Sequence, residues 1–202
     1  HTIGLRMTGQ SGHWDYVYEA LLQRGTFANT MPIEAWATTT DTGYTFFLPR
    51  WGYPRVGVRM NIESGDAGRG ALGTFNPMFP DVADSGRIGL VGPANNIDIT
   101  PNLRIALAPR VFFIPDFALF WRQKNTDAIY GTVTPYLAVP GNTSRERFIG
   151  GQLSLPMQIN LTPHLTFTMA YGQLFRGAFL KQQRPYPAQS VIFLTNFLTY
   201  KF

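Results

Sequence analysis

The chain has 202 residues, of which 45% are hydrophobic, 14% aromatic and 14% charged, with 20 Gly, 15 Pro and no Cys; that apolar content excludes an intrinsically disordered chain, and the missing cysteines exclude disulfides, thiolate metal sites and cysteine nucleophiles. The longest apolar stretch, Ile105 to Trp121, is broken by Pro109, Arg110, Pro115 and Asp116, which leaves no helical membrane span of roughly 20 residues. The formal net charge of +5 points to anionic partners without choosing among nucleic acid, lipid and acidic polymer.

Alternation with period two recurs along the chain where helical periodicity does not, so strands with chemically different faces are expected. Ile3 to Met7, Trp14 to Gln23 and Ile33 to Phe46 are the weaker early members. Val56, Val58, Met60 and Ile62 then alternate with Arg55, Gly57, Arg59, Asn61 and Glu63. Ile97, Ile99, Leu103, Ile105 and Leu107 alternate with Asp98, Thr100, Asn102 and Arg104. Across Val111 to Gln123, Asp116 and Arg122 share one face while Phe113, Phe117, Leu119 and Trp121 share the other. Leu153, Leu155, Met157, Ile159 and Leu161 alternate with Gln152, Ser154, Gln158 and Asn160, and Leu165, Phe167, Met169 and Tyr171 with Thr166, Thr168, Ala170 and Gly172. In the last segment Ile192, Leu194, Leu198, Tyr200 and Phe202 fall on one face, with Asn196 as the exception, opposite Thr195, Thr199 and Lys201. These make about nine strands of roughly 9–14 residues, the length a tilted strand needs to cross a bilayer.

The connections sort by length. Short ones are expected near Gly9–His13, Phe47–Pro54, Ala108–Arg110 and Thr162–His164, and long ones near Gly25–Pro32, Ser64–Gly92, Lys124–Arg147 and Gly177–Gln189. Short turns at one end and long loops at the other describe an outer-membrane β-barrel. The fold expected is therefore all-β, a transmembrane antiparallel β-barrel forming a single domain over residues 1–202. Its apolar face would meet lipid, with Trp14, Tyr16, Trp36, Tyr44, Trp121, Tyr171 and Tyr200 in aromatic girdles; the competing reading is a soluble β-sandwich binding module. With nine strands the first and last run the same way and cannot pair antiparallel. His1 to Thr8 also lacks the features of a signal peptide, so further amino-terminal strands are expected.

Several stretches resemble the alginate export family of Gram-negative outer-membrane barrels: Gly73 to Pro80 (Gly-Thr-Phe-Asn-Pro-Met-Phe-Pro), Gly92 to Asp98, Phe120 to Arg122 with Ile129 to Gly131, Arg147 to Leu153, and Tyr171 to Phe175 ahead of Gly177, Phe179 and Leu180. The resemblance runs from about Gly4 to Phe202 and would make this chain the carboxy-terminal half of a barrel of about eighteen strands. It departs from the family at Asp116-Phe-Ala118 and at Pro156, which interrupts an otherwise regular strand.

What the resemblance implies is a wide passive channel in the bacterial outer membrane for anionic solutes, or for export of an acidic polysaccharide such as alginate. The pore-facing positions are then Arg6, Arg55, Arg59, Arg104, Arg122 and Arg176, interleaved with Asp15, Glu19, Asp41, Glu63, Asp98 and Asp116. Guanidinium groups suit carboxylates because they donate paired hydrogen bonds. The same charges would also serve as cross-strand ladders that hold the wall, as in a structural barrel with a plugged lumen. Leu198 to Phe202 looks like a terminal aromatic assembly signal carried by Tyr200 and Phe202. Expected partners are outer-membrane lipid, the barrel assembly machinery, an anionic polysaccharide or small anions, and periplasmic or envelope proteins.

Enzyme chemistry finds little support. His13 and His164 fall at short turns, and GxSxG, HExxH and P-loop patterns are lacking. Glu63, Asp66, Asp81 and Asp84 do not have the spacing of a calcium loop, and Asn142 to Ser144 spells a glycosylation acceptor without meaning in a bacterium. No cofactor or metal is expected. Nucleic acid is set aside because the basic residues alternate with lipid-facing ones instead of clustering.

Overall fold

A computed structural model describes residues 1–78, 91–131, 137–141, 143–183 and 190–202. It is all-β apart from one short helix and a 3-10 turn at Pro49–Trp51. The strands are β1 (Thr2–Ser11), β2 (Trp14–Phe27), β3 (Met31–Thr45), β4 (Arg55–Glu63), β5 (Asn96–Ala108), β6 (Val111–Phe113), β7 (Asp116–Arg122), β8 (Ile129–Tyr130), β9 (Leu137–Val139), β10 (Phe148–Asn160), β11 (Leu165–Arg176) and β12 (Val191–Tyr200), with α1 at Ala178–Gln182. One antiparallel sheet of ten strands runs in sequence order from β1 to β12, while β8 and β9 form a separate hairpin inside the long β7–β10 connection. β6 and β7 are two halves of one crossing, both pairing with β5 and β10, so the wall has the expected nine crossings. None of the described helices is long and apolar enough to span a membrane, which says nothing about strands.

Every seam keeps the two faces apart. Arg6 pairs with Glu19, Glu19 with Thr39, Thr39 with Asn61 and Asn61 with Asp98, so the charged and amide residues share one face. On the other, Leu22 pairs with Trp36, Met60 with Ile99, Ile99 with Leu119, and Phe167 with Ile159 and Leu198. A register slip of one residue along a seam would exchange the faces; the two shifts that occur in this sheet, between Ala106 and Ala108 and between Phe148 and Gly150, are confined to strand ends. The apolar face is exposed, with Leu5, Leu194 and Leu198 at 75%, 74% and 66%, the reverse of what a water-soluble sheet does with such side chains.

Two expectations are corrected. Gly25–Pro32 is not a long connection: β2 and β3 pair through to Phe27 and Met31 and close on Ala28 and Asn29, both at positive φ, with Thr30 N–H donating to the Phe27 carbonyl at 3.2 Å. That is a type I′ hairpin turn, whose twist matches the strands it joins; Gly25 and Pro32 stay in the ladder at its far end, beyond the last residue of β4. Pro156 does not interrupt its strand either, since β10 runs unbroken from Phe148 to Asn160. Its carbonyl accepts from Ile114 N–H at 3.0 Å, so its missing N–H faces the neighbouring crossing, and there Ile114 and Pro115 separate β6 from β7. The irregularity moves to the neighbour because a proline cannot donate across that seam.

The buried apolar clusters lie on the polar face, where loops fold back on the strands. Phe75 packs on Ala35, Ala37 and Leu21. Val91, Ile129, Val139, Phe179 and Leu180 pack on Ala118, Phe120, Ile149 and Leu174. Tethering is polar as well as apolar: the Gln23 side chain donates to the Asn76 carbonyl at 2.8 Å and accepts from its N–H at 2.9 Å.

Candidate functional site

Three clusters occupy the polar face at successive heights. Nearest the short turns, Arg55 lies flat across the sheet, where Gly43 and Gly57 leave room for its guanidinium and a Cβ at either would collide with it. Its Nε and Nη2 reach Asp15 at 2.6–3.0 Å, Nη2 also reaches Asp41 at 2.7 Å, and Nη1 donates to Asn102 at 3.1 Å. Arg104 stands directly opposite Arg55 in the ladder, yet the two like charges part: Arg55 turns to its carboxylates, and Arg104 lays its guanidinium over the Phe112 ring at 4.2 Å. Arg104 is exposed and has no carboxylate partner among the described residues. Arg6 sits over Glu19 at 3.6 Å in an exposed pair, an arrangement worth little in water.

At mid-height Asp98 is 1% exposed and accepts from Asn61 at 3.0 and 3.2 Å, Asn96 at 2.9 Å and Thr100 at 3.1 Å. A buried carboxylate tolerates such a place only when its oxygens are saturated by donors. Arg59 stands beside it, paired in the ladder with Asp41 and Thr100. Asp116 pairs with Asn102 and Ser154, and Arg176 with Gly150.

At the long-loop end Arg122 is fully buried. Its five N–H donors all meet backbone carbonyls of the following loop: Asp127 at 3.0 Å, Gly141 at 2.9 Å, Ser144 at 2.8 Å, and Glu146 twice. Phe179 covers its flat side at 3.9 Å. Arg122 and Asp98 therefore share the face of the other predicted residues without being open to a solute. The alternation places a side chain on a face, whereas the loops decide whether that side chain stays accessible.

Sequence reasoning missed the residues that hold these loops. Asp127 accepts from Asp66 N–H at 2.8 Å, Thr74 at 2.6 Å, Ala128 N–H at 2.7 Å and the Tyr130 hydroxyl at 2.7 Å. Asn95, at positive φ, donates to the Lys124 and Ala128 carbonyls and accepts from Lys124 N–H. Its place in the Gly92 to Asp98 run was the available signal. His164 meets the Lys201 carbonyl at 3.0 Å and His13 lies beside Tyr44, with ring centroids 5.5 Å apart; both histidines are at short turns. Asp66 receives Gly68 N–H at 2.6 Å. Phe79, Pro80, Asp81, Asp84 and Asn142 lie outside the described residues.

Tyr130 gives this loop cluster a pH dependence. Burial first, and then its bond to the Asp127 carboxylate, push its phenol from 10.0 up to about 12. An unfolded tyrosine ionises near pH 10, so the stabilisation is complete below about pH 10 and is lost as the pH rises toward about 12. Limited proteolysis within residues 123–147 is expected to rise across that window, and Tyr130→Phe to lose the step.

Residues 1–192 match the family model described as alginate export. No curated protein matches the chain.

Proposed function

The chain belongs to the alginate export family, and from that premise we propose that its nine crossings form an arc of an outer-membrane β-barrel whose polar face lines a passive pathway for anions, an acidic polysaccharide among them. The observation that carries this reading is the register, shifted only at two strand ends, which gathers every predicted charge on one face and exposes aliphatic and aromatic side chains on the other. Charges on membrane-crossing strands belong on the side away from lipid. Arg6, Arg55, Arg59, Arg104, Arg176 and Asp116 then face the pathway, and Arg122 and Asp98 frame it.

Closure involves more than these strands. β1 pairs only with β2 and β12 only with β11 among the described residues. The two edges run the same way, so an odd number of further strands is needed to join them antiparallel. Tyr200 and Phe202, both exposed at the end of the last crossing, are proposed as the signal read by the assembly machinery.

Selectivity is the test. The full-length protein in planar bilayers is expected to prefer anions, and replacing Arg59 and Arg104 together by Glu is expected to shift the reversal potential toward cations and weaken block by oligouronates. The effect is larger in 10 mM than in 1 M salt, where screening shortens from about 30 Å to about 3 Å. Unchanged selectivity and block would make these arginines wall ladders and remove the anion pathway. A second reading, a structural barrel with a plugged lumen, is favoured by the loops that seat Phe75 and Phe179 on the polar face; it predicts no open-state current at all.

A further inference from the structure

The turn between β3 and β4 carries Phe46, Phe47, Leu48, Trp51 and Tyr53, and all five are exposed, Phe47 at 72% and Trp51 at 51%. Tight turns are normally built from Gly, Pro, Asn, Asp and Ser, so this load of aromatic surface calls for a role. The turn is well fixed: Trp51 and Tyr53 N–H groups both donate to the Leu48 carbonyl, at 2.9 and 3.2 Å, and Gly52 N–H donates to the Pro49 carbonyl at 3.1 Å. It lies within the sheet, with β2 and β5 in place on either side, so its exposure is not that of an open edge.

The turn bends toward the polar face. Gly52 rests on Ala106, whose methyl group a Cβ at Gly52 would strike, and Ala106 pairs with Phe112 on that face. Phe47 and Tyr53 lie two residues beyond Thr45 and Arg55, the last polar-face pair of their seam, and their rings meet with centroids 5.7 Å apart. Next to the turn stands Arg104 over the Phe112 ring, spared the carboxylates because Arg55 holds both Asp15 and Asp41. Phe112 pairs onward with Gln158, whose amide donates to Asn160 at 3.0 Å; that leaves the Gln158 carbonyl oxygen and the Asn160 N–H groups without partners among the described residues.

We propose that this turn and the adjoining Arg104–Phe112 pair form a docking site for the sugar rings of an acidic polysaccharide at the short-turn mouth of the passage, an inference that rests on the polar face lining that passage. A pyranose ring has an apolar C–H side that an aromatic ring can cover. Its carboxylate suits a guanidinium, and its hydroxyls suit free amides. A small inorganic anion would use the guanidinium alone and leave the rings of Phe47, Trp51 and Tyr53 without a purpose. Lipid would be met from the apolar face, from which Gly52 carries the turn away.

The assay is full-length protein in planar bilayers with oligouronates added on the short-turn side. Trp51→Ala combined with Tyr53→Ala is expected to shorten each blocking event about tenfold, with conductance, ion selectivity and the heat-modifiable band kept, and Trp51→Phe with Tyr53→Phe to preserve the wild-type dwell time. A neutral oligosaccharide of equal ring number is expected to lose dwell time in the alanine variant but not in Arg104→Gln, whereas the oligouronate loses it in both. Unchanged dwell times in the alanine variant, against a wild type that oligouronates do block, would overturn this proposal and leave the anion pathway standing. A wild type that no oligosaccharide blocks would overturn the proposal and the polysaccharide reading together. Impaired insertion into vesicles with unaltered dwell times would assign the turn to the bilayer interface and overturn the proposal.

Discussion

Replacing Arg122 by Leu is expected to release the β7–β10 loop while the strands stay paired. The substitution removes five charge-assisted hydrogen bonds and strands the carbonyls of Asp127, Gly141, Ser144 and Glu146 inside the protein. Each buried carbonyl left without a donor costs about 1–3 kcal/mol, enough together to unseat a loop whose apolar anchors are few. Protease cuts within residues 123–147 should appear in the variant, together with a larger single-channel conductance and an unchanged heat-modifiable band. Arg122→Lys should lie between the two, because an ammonium donates three bonds and cannot spread them over a planar fork. A variant loop as resistant as wild type would show that Phe179, Ile129 and Val139 hold it without the cation.

That loop marks the limit of what alternation conveys. Face assignment was legible along the body of each crossing, because period two leaves little freedom there: one slip would put Arg59, Asp98 and Arg104 among the leucines, and the shifts that occur are at strand ends. Accessibility was not. Arg104 and Arg122 occupy equivalent polar-face positions in the pattern, yet one stands exposed over Phe112 and the other is enclosed by carbonyls. The difference is made by Asn95, Asp127 and Phe179, residues outside the alternating strands, each with a partner tens of residues away. The β2–β3 turn escaped for a related reason. Its turn positions are Ala28 and Asn29, while the glycine that signalled a break, Gly25, takes a positive φ yet keeps its place in the ladder opposite Ile33.

The two faces differ in energy as well as in composition. Leu155→Arg, on the apolar face midway along β10, is expected to destabilise the folded protein in lipid by about 2–4 kcal/mol, and Thr168→Arg, on the polar face of β11, by less than about 1 kcal/mol. Equilibrium folding into vesicles across a denaturant series measures both. Equal costs would mean that neither face meets hydrocarbon; a larger cost at Thr168 would mean that the faces are exchanged. Arg24 marks the boundary of this rule. It lies on the apolar face but on the part of β2 that outlasts β4, where it pairs with Glu34 at 3.4 Å.

Because each crossing pairs only with its neighbours in the sequence, every seam is set by its own turn and its own pair of faces. Excising one complete hairpin would leave the flanking strands antiparallel and their faces matched, so the wall can be shortened or lengthened without rewriting any other seam. The unit of change is two strands, about 10 Å of perimeter at the usual strand spacing. Perimeter is thus a modular property of this architecture, adjustable by duplication or loss of hairpins, whereas the chemistry of the polar face is adjusted one side chain at a time.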